Sequence, residues 1–167
     1  MDVSESMTAW GEISLISLLT ESFMKYTGAP LVPARLTGTS AAQWLYNAPF
    51  GLLAHDTAAD PRFIYANLTA QRLFEYDWDE FVGMPSRLSA EGDDRDTRQA
   101  FMQAVLERGY ASGYQGVRVA KSGRRFWIED ATVWNLTDSD GVRHGQAAMI
   151  PRWSMGLLKG GGAGPGA

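Results

Sequence analysis

The chain has 167 residues, a mass of 18.3 kDa and 15 Lys and Arg against 19 Asp and Glu, a formal charge of -4. That is room for one domain, and the acidic balance argues against a general nucleic-acid binder, which needs a basic footprint. The chain has no cysteine and two histidines, which excludes disulfides, Cys-ligated zinc, thiol nucleophiles, cysteinyl-flavin chemistry and a His-rich metal site.

Taken in chain order, residues 1–10 read as a disordered N-terminus. They open on MDVSES, which is acidic and lacks the basic start of a signal peptide. Residues 11–38 hold an amphipathic helix over Glu12–Tyr26, with Ile13, Ile16, Leu19, Phe23 and Tyr26 at helical spacing, then a loop. Thr27-Gly28-Ala29-Pro30 stops that helix. Thr39-Ser40 can cap a second helix, Ala41–Asn47, that ends before Pro49. Phe50–His55 and Arg62–Tyr65 read as strands around the turn residues 56–61. Asn67 caps a helix, Asp77 or Asp79 starts a short one, and Pro85–Asp94 is a polar loop. Asp96–Gly109 is a helix with Gly109 at its C-cap. Tyr114–Ala120, Arg125–Leu136 and Val142–Trp153 then form a strand meander, joined by Lys121-Ser122-Gly123 and Asp138-Ser139-Asp140-Gly141. Residues 154–167 are a Gly-rich, flexible tail. No apolar run approaches the 18 residues of a membrane span, so the expectation is a cytoplasmic protein that meets neither membrane nor nucleic acid.

This order predicts an α+β domain with a five-stranded antiparallel sheet, helices on one face and the N-terminal helices outside the core. It resembles a PAS domain. Phe63–Ala70 followed by Leu73–Tyr76 is similar to the PAS strand-to-helix passage, and Lys121–Trp127 to the turn between its third and fourth strands. More narrowly, LYNAPFGLLAHDTAADPRFIYAN, LFEYDWDEFVGMPSRLSAE, YQGVRVAKSGRRFWIEDATVWNL and GQAA resemble the MEKHLA domain, a PAS-like family, over roughly Trp44 to Met149. On that basis residues 39–153 form a PAS-like MEKHLA domain. The resemblance implies a stand-alone version of a module that elsewhere ends plant class III homeodomain–leucine zipper factors, where it is associated with dimerisation. It also implies a small-ligand site between sheet and helices, or a dimer face on the sheet.

By resemblance to flavin-binding relatives, Arg118, Ile128 and Asp130 face inward, and Thr132, Trp134, Gln146 and Ala148 follow by period two. Val117, Val119, Trp127, Val133 and Met149, with Ala131 and Ala147, then form an apolar outer face that needs a cover, either the first helix or a second subunit. Arg118 and Asp130 read either as a buried ion pair or as a pair in which one awaits a polar ligand. Arg87 reads as a partner of Glu91 or as an anion contact. The candidate ligand-binding residues are thus Arg87, Arg118, Ile128, Asp130, Trp134 and Gln146, and the dimer or helix-dock face is Val117, Val119, Trp127, Val133 and Met149. Asn67 reads as a helix cap and His55 as a surface residue at a strand end. No catalytic or metal-binding residue is expected. No cofactor is expected either. Flavin photoreceptors of this fold use a Cys and inner-face amides, and haem-binding relatives a His on the long helix; this chain has neither.

The function these features predict is a non-enzymatic sensory or protein-interaction module in signalling, a homodimer with a small polar or aromatic ligand, a regulatory protein partner, or both. Two alternatives stand beside it. One is a pure dimerisation module whose core is filled by Trp44, Trp127, Trp134 and Trp153. The other is a small acid–base enzyme, for which no nucleophile–base pair is visible.

Overall fold

A computed structural model describes residues 9–90 and 95–155; the N-terminal residues 1–8 and the tail beyond 155 lie outside them. Helix α1 spans Ala9–Thr27 and α2 spans Gly38–Tyr46. Strands β1 (Gly51–His55) and β2 (Phe63–Ala66) follow, then α3 (Leu68–Phe74), α4 (Trp78–Phe81), a 3₁₀ turn at Ser86–Ser89 and α5 (Arg95–Arg108). Strands β3 (Tyr110–Val119), β4 (Arg125–Thr137), β5 (Arg143–Ile150) and β6 (Arg152–Ser154) close the order. The domain is α+β, as expected. The antiparallel sheet runs β2-β1-β5-β4-β3, with β6 continuing alongside β4.

The last predicted strand is two strands because Pro151 interrupts it; a proline has no N–H to give the ladder. β5 pairs with Thr132–Thr137 of β4, and β6 pairs with Trp127–Glu129. The second helix starts earlier than Thr39-Ser40 suggests: Thr37 is its N-cap, without a side-chain cap bond, and the Ser40 hydroxyl donates to the Thr37 carbonyl at 2.8 Å. Asp77, not Asp79, caps α4, in a capping box with Glu80.

The sheet is buried on both faces, which explains the unbroken apolar reading of β1. On one face Leu53, Phe63, Ile128 and Ile150 pack with Phe74 and Phe81. On the other, Ile16, Leu19 and Phe23 of α1 and Leu45 of α2 pack on Leu52, Tyr65, Trp134 and Leu136. The α1 stripe follows from helical spacing, and each buried side chain contributes at most about 1.5–3 kcal/mol. Side-chain bonds fix the helix along the sheet: Ser22 donates to the Thr137 carbonyl at 3.1 Å, and the Tyr26 hydroxyl lies 2.8 Å from Thr137 Oγ1. The chain's own α1 therefore covers the outer face over Leu52, Trp134, Leu136, Ala147 and Met149, and Val117, Val119 and Trp127 lie outside that cluster.

Asn67 does more than cap α3. Fully buried, it accepts from Leu52 N and Ala70 N through Oδ1 and donates to the Leu45 and Phe50 carbonyls through Nδ2. One side chain thus ties α2, β1 and α3 together with all four amide hydrogen bonds made.

Candidate functional site

Strands β3 and β4 do not keep one parity along their length. Ala111 pairs with Val133, Tyr114 with Ala131 and Gly116 with Ile128. Three residues of β3 therefore span two of β4, and then two of β3 span three of β4. Gly113 (φ 87°) and Asp130 (φ 57°) mark the two irregularities. Past Asp130 the side chains exchange faces. Ala131 and Val133 point to the same side as Ile128, while Thr132 turns outward to share a hydrogen bond with Ser112 at 2.9 Å.

This corrects five residue assignments, the outward-turned Thr132 among them. Trp134 does not face inward: it is completely buried under α1, its ring 4.8 Å from that of Phe23 and its Nε1 donating to the Leu19 carbonyl at 3.3 Å. Val133 and Ala131 do not belong to the outer face. Asp130 is exposed and pairs with Arg152 at 3.5 Å, so it makes no buried pair with Arg118. The reason is common to all five: a bulge adds one residue, and period-two alternation carried across it inverts the later positions of that strand. Val117, Val119 and Trp127 are half-buried, and Met149 packs beside the α1 cluster.

The inner face of the sheet and the α5–3₁₀ side border a half-open cavity of about 430 Å³, within the size range of small-molecule sites. Its floor is made of small residues, Ala131, Val133 and Ala148, and its walls include Ile128, Phe101 and Met102. None of Trp44, Trp127, Trp134 and Trp153 lines it. Of the predicted ligand residues, Arg87, Arg118, Ile128 and Gln146 border the cavity, and Asp130 and Trp134 do not.

Three basic bordering residues were not anticipated. His55, expected on the surface, is half-buried at the end of β1. Its Nδ1 lies 2.9 Å from the Asp56 carbonyl, so that nitrogen carries the proton, and the contact is with backbone rather than the Asp56 carboxylate. Arg98 sits on α5 one turn before Phe101 and Met102; that helical spacing was a readable signal. Arg143 pairs opposite Thr137 beyond a register shift, and no alternation rule would have found it.

The polar chemistry is one-sided. Arg87, Arg98, Arg118 and Arg143 all border the cavity, and no Asp or Glu does so among the described residues. Arg118 Nη1 donates to the Val117 carbonyl at 2.7 Å, and its guanidinium stands 5.4 Å from the Tyr114 ring centre, a cation–π placement. Arg143 Nε and Gln146 Nε2 both donate to Asn135 Oδ1, at 3.2 and 3.3 Å. Arg87 pairs with Asp60, its Nε 3.2 Å from Oδ1, with both side chains largely exposed; such a pair adds little stability. Its other expected partner, Glu91, lies outside the described residues.

None of the shifted carboxylates borders the cavity. The Ser122 hydrogen bond, helped by Arg124, holds the Glu75 carboxyl below its ordinary range. A hydrogen bond from His144 does the same for Asp138 in the last hairpin. Backbone N–H donation from Arg62, with Ala58 adding to it, lowers Asp56 in the β1–β2 turn. No group of three or more metal-ligating side chains occurs among the described residues. The residues present do not fit flavin-adduct chemistry either: the chain has no cysteine, and Gln146 already donates its amide to Asn135.

A five-stranded antiparallel path with short helices and one longer helix beside a pocket on one face is the PAS-like fold. Solved structures agree on the fold. The PAS domain of a protein from Colwellia psychrerythraea is similar at a TM-score of 0.57 and 18% identity, covering 65% of this chain and 90% of that one. An RNA-binding light-oxygen-voltage receptor is similar at 0.58 and 22%, covering 72% of this chain and 34% of that one. The chain belongs to the MEKHLA domain family, whose model matches residues 13–155. The homeobox-leucine zipper protein ATHB-14 of Arabidopsis thaliana is 27% identical over 150 residues, 86% of this chain. The chain spans only 17% of that relative's length. Among the described residues no helix is long and apolar enough to cross a membrane.

Proposed function

We propose that this chain is a non-enzymatic ligand-sensing module that holds a small molecule in the cavity between its sheet and α5 and passes occupancy to a protein partner or a second copy. The observation that carries this reading is the cavity itself, about 430 Å³ over a floor of Ala131, Val133 and Ala148. A module built only for dimerisation has no use for such a void. Protein interiors are close-packed, so small residues that leave a half-open hollow over the sheet depart from the default of a filled face. The four tryptophans available for filling all pack elsewhere.

Native mass spectrometry of the purified protein tests this reading. The expected result is a retained small molecule, lost in Ala148→Phe, which fills the floor. A bare chain, together with no thermal shift on any member of a metabolite library, would overturn it. The same spectrum reports the oligomeric state, and with it the expectation of a homodimer.

A further inference from the structure

Resting on that reading, we infer that the cavity selects an aromatic molecule with two adjacent hydrogen-bond donors, such as vicinal O–H groups, and meets them with a pair of acceptors, His55 Nε2 and Gln146 Oε1. The two residues stand directly opposite one another on β1 and β5, and both border the cavity. Residues opposed in this way hold their Cβ atoms roughly 4.5–5.5 Å apart. One small molecule can therefore reach both.

The hydrogen bonds around each side chain decide what it offers. Asn135 Nδ2 donates to the Val105 carbonyl at 3.4 Å, and a carbonyl only accepts. Asn135 Oδ1 accepts from Arg143 Nε at 3.2 Å, and a guanidinium only donates. The Asn135 amide is thus oriented from both sides. Gln146 must then turn its NH2 to that same Oδ1, as it does at 3.3 Å. Its Oε1 makes no hydrogen bond among the described residues, although Gln146 is only 7% exposed. An amide oxygen withdrawn from water and given no donor is destabilising until a guest supplies one.

His55 reaches the same state by a separate route. Its Nδ1 donates to the Asp56 carbonyl at 2.9 Å, so the neutral ring keeps its lone pair on Nε2. No described residue donates to that nitrogen. The pair is held in place by Gly145, where a Cβ would collide with the His55 carbonyl oxygen; only glycine lets β5 run this close to the end of β1. The rest of the lining suits a flat apolar body. Ala131, Val133 and Ala148 form the floor, and the Phe101 and Tyr114 rings, with centres 4.9 Å apart, form one wall.

Two fluorescent probes isolate the donors. 2,3-Dihydroxynaphthalene and 2,3-dimethoxynaphthalene share the ring system and both oxygens, and only the first has O–H groups. At about pH 7.5, where an imidazole is ordinarily uncharged, the full chain is expected to bind the dihydroxy probe at least about tenfold more tightly, because a site with unpaired acceptors rejects an analogue without donors. Ala148→Phe should abolish that binding, which places the probe in the cavity. Gln146→Met and His55→Leu should each weaken the dihydroxy probe by about tenfold and leave the dimethoxy probe within about threefold. If wild-type protein binds both probes equally, with both lost in Ala148→Phe, the cavity is a ligand site and the donor selection is wrong. A preference that narrows in the two variants because the dimethoxy probe gains affinity also overturns it, since room rather than hydrogen bonding was then decisive. If neither probe binds, or binding survives Ala148→Phe, the ligand-site reading fails as well. The wild-type comparison decides even where a variant fails to fold.

Discussion

Gly113 on β3 and Asp130 on β4 offset one another: each holds a positive φ, 87° and 57°, at a register slip, and the slips run in opposite senses. Together they exchange the faces of the side chains along β4 while leaving the pairing at both ends of the two strands in step. That exchange decides which side chains floor the cavity.

A left-handed φ strains any residue with a Cβ, and most of all a β-branched one. Asp130 is exposed, and its ion pair with Arg152 is a long surface contact. Asp130→Gly should therefore leave stability unchanged or raise it by up to about 1 kcal/mol, and Asp130→Val should lower it by about 1–2 kcal/mol. Chemical denaturation of the two variants measures the difference; equal midpoints would show that the bulge is not strained.

Asn67→Ala removes four hydrogen bonds from a completely buried position and takes the side-chain partner from the Leu52 and Ala70 N–H groups and the Phe50 carbonyl, while the Leu45 carbonyl keeps its bond from Ala48 N. The expected loss is about 3–5 kcal/mol, most of it the desolvation of those backbone groups. Asn67→Asp keeps the two accepting bonds and loses the donors, so it should also destabilise. Urea unfolding followed by tryptophan fluorescence checks both, and a loss under about 1 kcal/mol for the alanine variant would contradict the role assigned to Asn67.

Trp134→Ala opens a void under α1 and deletes the ring contact with Phe23. The expected cost is about 3–5 kcal/mol, and the local consequence is an undocked helix. Limited proteolysis should then cut within Ala9–Thr27 well before the rest of the domain; wild-type resistance in that helix would show that α1 docks without Trp134.

The purified protein should show no visible absorption band when made in a flavin- and haem-replete host. The chain lacks the thiol for a flavin adduct, and α5 carries no histidine. A band that co-purifies through gel filtration would disprove this.

The Glu75 carboxyl, held below its ordinary range by Ser122 and Arg124, binds its proton less tightly in the folded chain than in the unfolded one. The unfolded state therefore takes up more protons, and its contribution to stability is present above the ordinary glutamate range and is lost as pH falls through roughly 4–5 and below. Glu75→Gln should flatten that part of the stability–pH curve relative to wild type. An unchanged curve would remove Glu75 from the acid response.

Much of the fold was legible because its signals are local. The capping roles of Asn67 and Asp77, the stop at Gly28 and the turns at Lys121–Gly123 and Asp138–Gly141 depend on a few adjacent residues, and the structure shows each in place. The class of the domain followed from their order. On β4 the site was legible only up to the irregularity at Asp130, while Gln146 and Ala148 on β5 were placed on the cavity side. Arg118 and Ile128 lie before Asp130 and were placed on the cavity side; Trp134 and Val133 lie after it and were exchanged.

By itself, then, the sequence determined the element order, the caps and turns, the apolar stripe of α1 and the absence of thiol chemistry. Each of these is set by residue type or short-range spacing. Tertiary structure alone decided that α1 covers the outer face over Trp134, that a void remains over Ala131, Val133 and Ala148, and that four arginines from four separate elements meet around it. Those outcomes depend on strand register, which two single-residue bulges reset, and on contacts between residues far apart in the chain. Neither leaves a periodic trace in the sequence.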